Sequence, residues 1–339
     1  MFKIQNRRYL GNKFKLLNFI KETINNECGN FETFFDVFAG TGSVSSAFTD
    51  KKLILNDILY SNHVMHIAWF KNEKYDSDKI IKIIQNYNSK VVNEENYVSQ
   101  NFSDTFFSKN VCKKIGYIRE DIENKYKNRE INEKERAILI ASLLYGMDKI
   151  AATCGHYDAY RKNADLPQNI TLEMLNIEPN LSKENEFYNC DSNRLATDII
   201  CDIAYLDPPY NSRQYGDAYH LLENIARWEK PDVKGVARKM NRDNIKSEYC
   251  RSNATNVFED IIEKLNCKYI VLSYNNTGTS ANDRSNAKIS DEDILKILKK
   301  KGTVKIFSQK HNAFTTGKSF NDKNSERLFV CKVFQGSVK

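Results

Sequence analysis

The sequence predicts an α/β protein, a doubly wound, mostly parallel seven-stranded sheet with a helical segment inserted into it. Three observations carry that expectation. Seven short runs rich in β-branched and aromatic residues recur along the 339 positions, several of them near-continuously apolar, as strands buried on both faces are. Helical patterns alternate with most of these runs, the signature of parallel strands joined by crossover helices. A single long interval, residues 67–184, breaks the alternation and reads as helical instead.

In chain order, "KFKLLNFIKETI" has helical spacing and precedes a first strand, "TFFDVFA" at 33–39. A short helix "GSVSSAFTD" and a second strand, "KLILND" at 52–57, follow. The insert contains a strong helix, "EKERAILIASLLYGMDKIAA", and the polar, aromatic stretch "TCGHYDAYRKNADLPQN". Beyond it lie strands at 187–191 ("FYNCD"), 202–207 ("DIAYLD") and 269–275 ("YIVLSYN"), with helical "YHLLENIARWE" and "NVFEDIIEKL" before the last. "DEDILKILKKKG" opens on acids and closes on lysines and glycine, the polarity that a helix dipole and a C-cap favour. Two final strands, 303–309 and 327–334, have no helix between them and are expected to pair antiparallel at one edge. The expected division is therefore a core of residues 1–66 and 185–339 with residues 67–184 inserted.

Composition is that of a globular chain: 41% hydrophobic and 28% charged residues, enough apolar side chains to build a core. Fifty-one Lys and Arg against 44 Asp and Glu leave a net charge of +7, a mild basic excess that fits a polyanionic partner and fits plain solubility charge equally well. Eight cysteines show no C-x-x-C pair, and reduced thiols in a cytoplasm are expected. The first residues lack the apolar core of a signal peptide, and no window reaches the roughly 18 apolar residues of a membrane span. A cytoplasmic protein without a membrane partner is expected.

Chemistry is concentrated at strand ends. "FAGTG" at 38–42 follows the first strand, and glycines at 40 and 42 allow a sharp turn that brings backbone N–H groups to a ligand, or simply a tight strand-to-helix turn. Neither a third glycine nor G-K-[ST] is present, so neither a pyrophosphate nor a triphosphate is indicated. Asp57 ends the second strand, where an acid can accept both ribose hydroxyls or can cap a helix. The fourth strand runs into "DPPY" at 207–210. Proline stops the ladder and stiffens the backbone, so the Asp207 carboxylate, the Pro208 carbonyl and, after Pro209, the Tyr210 ring stand fixed at the sheet edge. Two rigid acceptors beside an aromatic plane match an exocyclic amino group on a planar base; a rigid strand exit is the plainer alternative.

These residues resemble a known family. "FAGTG" with "DPPY" is similar to the amino-methylating DNA methyltransferases, and "RRYLGNKFKLL" at 7–17 looks like the amino-terminal motif of the alpha-ordered, Dam-like D12 class of adenine-N6 methyltransferases. "YLDPPYNSRQY" and "CGHYDAY" resemble the FokI-type restriction-modification methyltransferases within it. Gly42 and Asp207 lie 165 positions apart (207 − 42), room for the target-recognition insert of that class. The resemblance implies the S-adenosylmethionine-dependent methyltransferase fold, S-adenosyl-L-methionine as cofactor and double-stranded DNA as partner. A cognate restriction endonuclease or companion methyltransferase is the implied protein partner. Tyr9 and Lys13 would hold the methionine end of the cofactor, Lys13 by charge. Phe38, Ala39, Gly40, Thr41 and Gly42 would form the loop around its methionine and sugar, Asp57 would take the ribose hydroxyls, and Asp191 would accept from its adenine amino group. Asp207, Pro208, Pro209 and Tyr210 would be catalytic, holding the amino group of an adenine flipped out of the duplex. Arg213, Gln214 and Tyr215 offer groups to fill the vacated stack or touch phosphates, if they are not simply a helix-capping loop. His156, Tyr157, Tyr160, Arg161 and Lys162 mix phosphate-binding and base-edge chemistry, if theirs is not a solvated loop.

A zinc reading of His63 and His66 is set aside, because no Cys or further His stands at ligand spacing and the pair fits a packed helix face. Two alternatives to a DNA adenine methyltransferase stay open on the sequence: a catalytically silent DNA-binding subunit with the same fold, and an RNA adenine methyltransferase.

Overall fold

The computed structural model describes residues 4–7, 9–177, 181, 184–275, 287–310 and 325–334. Seven strands form one sheet: β1 (Thr33–Asp36), β2 (Lys52–Asn56), β3 (Glu186–Tyr188), β4 (Ile200–Leu206), β5 (Asn266–Asn275), β6 (Gly302–Lys310) and β7 (Ser325–Val333), in the order β3-β2-β1-β4-β5-β7-β6. The first five pair in parallel, while β7 runs antiparallel between β5 and β6. The doubly wound, mostly parallel sheet expected from the sequence is present, and so is the antiparallel pair at one edge.

Alternate residues of the central strands feed two separate cores. Phe34, Leu53, Leu55, Ile203, Tyr205 and Val271 belong to one, and Phe35, Ile54, Ala204, Leu206, Ile270 and Leu272 to the other. This two-sided burial is why the strands read as unbroken apolar runs, since a period-2 polar face would need solvent on one side. Each fully buried aliphatic or aromatic side chain stabilises the fold by roughly 1.5–3 kcal/mol.

The helices, numbered in chain order, divide between the two faces. α1 (Leu17–Cys28), α2 (Tyr60–Phe70), α6 (Glu133–Ile150) and α9 (His220–Arg227) contribute to the first core; α7 (Ser192–Leu195), α10 (Ala254–Lys264) and α11 (Asp291–Lys301) cover the second. Between α2 and α6 stand α3 (Ser77–Ser89), α4 (Tyr97–Phe102) and α5 (Lys109–Lys127), and a short α8 (Tyr215–Ala218) precedes α9. α6 is buried almost all round from Lys134 to Met147, and Ile138, Leu143 and Met147 share one apolar cluster with Phe34 and Ile203 of the sheet. The helical segment after residue 67 is thus packed into the core that covers one sheet face.

Local chemistry moves some boundaries. β1 stops at Asp36 instead of reaching residue 39, because the chain turns there into the glycine loop. "GSVSSAFTD" forms only a 3₁₀ turn, Ser45–Phe48, whose four residues are all buried, leaving no polar face for an amphipathic helix.

Candidate active site

At the carboxyl ends of β1, β2 and β4 opens a cavity of about 430 Å³, within the roughly 300–1,000 Å³ usual for small-ligand pockets. Tyr9, Lys13, Asp36, Phe38, Ala39, Gly40, Thr41, Asp57, Asp191, Tyr205, Asp207 and Pro209 line it. This is the crevice at the strand ends where open α/β sheets bind ligands.

The glycine loop is held from both neighbouring strands. Val37 N donates to Tyr205 O (3.0 Å) and Ala39 N to Asn56 O (2.9 Å), extending the pairing past the last residue of β1. Asn56 Nδ2 donates to Val37 O (3.3 Å) and Cys190 O (3.1 Å), tying the ends of β1, β2 and β3 together. Gly40 has φ +53°, its N–H donates to Asp57 Oδ2 (2.8 Å), and its carbonyl accepts from His66 Nε2 of α2 (2.8 Å). Burial pushes the His66 imidazole down to about 3, so it is a neutral donor to that carbonyl.

Gly42 departs from its expected place. It does not line the cavity: at φ +77° a Cβ there would come within 2.9 Å of Phe70 Cε2, so the glycine is required for the loop to pack on α2.

Asp57 is buried and uses both carboxylate oxygens on backbone, Oδ2 from Gly40 N and Oδ1 from Leu59 N (2.8 Å). It therefore joins the glycine loop to the start of α2, whose next amides, Tyr60 N and Ser61 N, donate to Glu223 (2.9 and 2.8 Å). Burial raises the Asp57 carboxyl to about 7, against the lowering pull of these N–H donors. Asp191 is exposed, lines the cavity and caps α7 by accepting from Arg194 N (3.0 Å).

On the N-terminal side, the Tyr9 ring stacks on Tyr219 (4.5 Å, 10°), with the Arg7 guanidinium over both rings at 5.3 and 5.5 Å. Tyr9 OH accepts from Asn62 Nδ2 (2.9 Å). Leu10 N donates to Tyr219 OH (2.8 Å), and Tyr215 OH donates to Leu10 O (3.0 Å). Gly11 is needed here, because a Cβ would meet that Tyr215 hydroxyl at 2.9 Å.

The charged centre is built from four distant segments. Lys13 Nζ lies 2.9 Å from Asp207 Oδ1 and 3.2 Å from Glu326 Oε1, and Ser273 Oγ donates to the same Glu326 oxygen (2.7 Å). All are withdrawn from water, with side-chain exposures of 7% for Lys13, 18% for Asp207 and 4% for Glu326. Burial works against the Lys13 charge, but Asp207 and Glu326 outweigh it and hold its pKa well above the ordinary lysine value. For Asp207 burial comes first and raises the carboxyl above the usual carboxylate range, Glu326 adds to the rise, and Lys13 opposes it. Lys13 lines the cavity as expected of a cofactor contact, and its ammonium is also matched by two protein carboxylates, because Glu326 approaches from β7.

Pro209 lines the cavity beside Asp207, whereas Pro208 is buried. The Tyr210 ring is half-buried, edge-on to Tyr274 at 6.3 Å, and its carbonyl accepts from Lys288 N (2.8 Å).

Three expected DNA contacts are occupied inside the protein. Gln214 exchanges both amide groups with the backbone of Ser247, Nε2 to Ser247 O (2.9 Å) and Ser247 N to Oε1 (2.8 Å). Tyr215 pins Leu10, as described above. Tyr157 is 2% exposed; its hydroxyl donates to Asp148 Oδ1 (2.8 Å), the other oxygen of that carboxylate, Oδ2, pairs with Arg7 Nε (3.1 Å), and the Tyr157 backbone bonds Ala218 and His220. Tyr157 is a core residue, its hydroxyl bonded to the acid that pairs with Arg7. Arg213, Arg161 and Lys162 are exposed, while His156 and Tyr160 are half-buried, the latter edge-on to Phe106.

Asp36, Tyr205, Ser273 and Glu326 join this site without any local sequence signal. Asp36 is 1% exposed, accepts from Ser45 Oγ (2.6 Å) and forms no ion pair among the described residues. Burial pushes its carboxyl up to about 7, and the Asp207 and Asp57 carboxylates add to the rise. A signal that was readable is the segment 230–251, where Lys230, Lys234, Arg238, Lys239, Arg242, Lys246 and Arg251 face only Asp232, Asp243 and Glu248. It borders the cavity through Ile245, Ser247, Glu248 and Tyr249. Lys239 bonds Asp158 (2.6 Å) and Arg242 bonds Asp217 (2.5 Å), which fixes its turn against the 153–161 loop and α8. Lys234 and Arg238 flank the turn and are exposed.

Comparison with known proteins places this architecture. The chain is 34% identical to the modification methylase StsI of Streptococcus sanguinis over 95% of its length and 50% of that protein's. It is 36% identical to the type II methyltransferase M.NlaIII of Neisseria lactamica, covering 80% of the chain and 84% of the relative. It is 32% identical to M.FokI of Planomicrobium okeanokoites, covering 91% and 49%. The chain thus spans about half the length of StsI and of the similar methylase LlaI, at 50% and 53%. The family profile for D12 class N6 adenine-specific DNA methyltransferase matches residues 9–317, from the tyrosine stacked beside the glycine loop through the whole parallel sheet. A correspondence of that extent establishes kinship, and the chain belongs to the D12 class N6 adenine-specific DNA methyltransferase family.

Proposed function

We propose that this chain methylates N6 of an adenine flipped out of duplex DNA, with S-adenosylmethionine as donor, as the modification arm of a restriction system. The observation that carries the reading is Asp207: a carboxylate held by Lys13 at a proline-stiffened strand exit, opening into the same cavity as the glycine loop. The residues present fit that donor. Asp36 is a buried, cavity-lining carboxylate with no cation among the described residues, and the ammonium of a methionine moiety is the partner it lacks. Asp57 and Asp191 offer acceptors elsewhere on the cavity wall for hydroxyl and amino groups.

When bound, S-adenosylmethionine supplies an electrophilic methyl group. Asp207 and the Pro208 carbonyl accept the two N6 hydrogens, which draws the nitrogen lone pair out of conjugation with the ring and aims it. Tyr210 packs its ring beside the base. Orientation and fixed electrostatics supply the acceleration, without a covalent enzyme intermediate. DNA is engaged by Arg213, by Arg161 and Lys162 of the 67–184 segment and by the turn carrying Lys234 and Arg238, all exposed cations. A cognate endonuclease or companion methyltransferase is the protein partner such a role calls for, in the cytoplasm, with the chain acting as a monomer.

The test is methyl transfer from labelled donor to unmethylated genomic DNA, digested to nucleosides. N6-methyladenine confined to one short motif, and abolished in Asp207→Ala, is the expected result. Label on RNA alone would overturn the substrate; donor binding without transfer to any nucleic acid would mean a silent DNA-binding subunit.

A further inference from the structure

We propose that Glu326 is a positioning residue for methyl transfer, keeping the Lys13 ammonium paired while Asp207 takes up the proton shed by the amino group it holds. The inference rests on the reading of Asp207 given above, and its grounds are geometric. Lys13 Nζ sits between Asp207 (2.9 Å), at the exit of β4, and Glu326 (3.2 Å), on β7, with 7% of its side chain exposed. Ser273 Oγ bonds the Glu326 oxygen that faces Lys13, so the second carboxylate is itself held in place.

The reaction requires such an arrangement. When N6 forms its bond to the methyl carbon, the electron pair of the broken carbon–sulfur bond stays on sulfur, and N6 carries a positive charge and one proton too many. That proton passes to Asp207, leaving a neutral methylamino group and a neutral carboxyl, and is released to water with the product. At that moment Asp207 ceases to be a counter-charge. A buried ammonium left alone is strongly disfavoured, which would make Asp207 resist the proton. With Glu326 on its other side, Lys13 stays paired throughout.

The groups facing Asp207 are Lys13 from the N-terminal segment, Glu326 from β7, Asp36 from β1, Tyr205 from β4, Tyr215 from α8, and Tyr210 beside it. Only Lys13 among them is a cation. Removing the Glu326 charge therefore leaves Lys13 acting on Asp207 with less opposition, and Asp207 becomes the weaker base.

The experiment compares wild type with Glu326→Gln, which keeps shape and leaves Lys13 paired to Asp207, so the fold is retained. The infrared carboxyl band of Asp207, assigned by difference against Asp207→Asn, is titrated in the ligand-free protein. The single-turnover rate of DNA methylation is measured across the same pH range. The expected result is a downward shift of about one pH unit in the Asp207 titration and in the acidic limb of the rate profile, with a slower plateau. Glu326→Asp should restore part of both. An unchanged titration and an unchanged profile in Glu326→Gln would sink the inference even if thermal stability falls. If Asp207→Asn methylates normally, the reading of Asp207 fails instead, and the two failures are told apart.

Discussion

Replacing Lys13 by methionine keeps most of the buried stem and removes the single cation between Asp207 and Glu326. Two carboxylates with 18% and 4% side-chain exposure then face each other without a counter-charge. Deleting one member of a buried ion pair costs about 3–5 kcal/mol. Unfolding entropy of roughly 2.1 cal/mol/K per residue gives about 0.7 kcal/mol/K for 339 residues, so the melting temperature should fall by about 4–7 °C near pH 8. The loss depends on pH with a definite sign. In the variant the Asp207 carboxyl, raised by burial, loses the Lys13 charge that opposes the rise, so the penalty is absent below its unfolded value near 4 and grows as pH rises through the raised folded value. Thermal unfolding followed by circular dichroism at pH 5 and pH 8 measures this, and the double variant Lys13→Met/Glu326→Gln should recover part of the loss at pH 8. A melting temperature within about 1 °C of wild type at pH 8, or an equal loss at both pH values, would refute the paired-charge account.

Gly42→Ala should lower stability by more than the roughly 1–2 kcal/mol of a left-handed alanine, because its Cβ also meets Phe70 at 2.9 Å; denaturant unfolding reads this directly. Tyr157→Phe should cost about 1–3 kcal/mol by removing the buried hydroxyl's hydrogen bond to the Asp148 carboxylate, yet leave the salt dependence of DNA binding unchanged. Lys234→Ala with Arg238→Ala should do the reverse: no change in melting temperature, and a salt slope shallower by about 2, near 0.9 for each phosphate no longer neutralised. S-adenosylmethionine affinity, measured calorimetrically, should rise between pH 6 and 8 as Asp36, raised to about 7, becomes the carboxylate that pairs with the donor's ammonium. Asp36→Asn should remove that part of the pH dependence.

Parallel strands buried on both faces must be apolar throughout, and a chain must signal its turns with glycine and proline, so the sheet, the "FAGTG" loop and the "DPPY" exit were legible residue by residue. Runs of this kind depend only on neighbours in sequence. Side-chain partnerships across the fold do not. Gln214 and Tyr215 read as free polar groups, but only the folded chain brings Ser247 and Leu10 against them. Tyr157 sits in a polar, loop-like stretch, yet it is a core residue, its hydroxyl bonded to the acid that pairs with Arg7. Lys13 stands in a recognisable motif, but its partner Glu326 comes from the opposite end of the chain, on a strand whose local pattern reads only as apolar alternation. A strand's own residues fix that it is a strand. Which acid on it meets a buried lysine is fixed by β7 inserting between β5 and β6, because that pairing alone carries Glu326 to the side of Ser273 and Lys13.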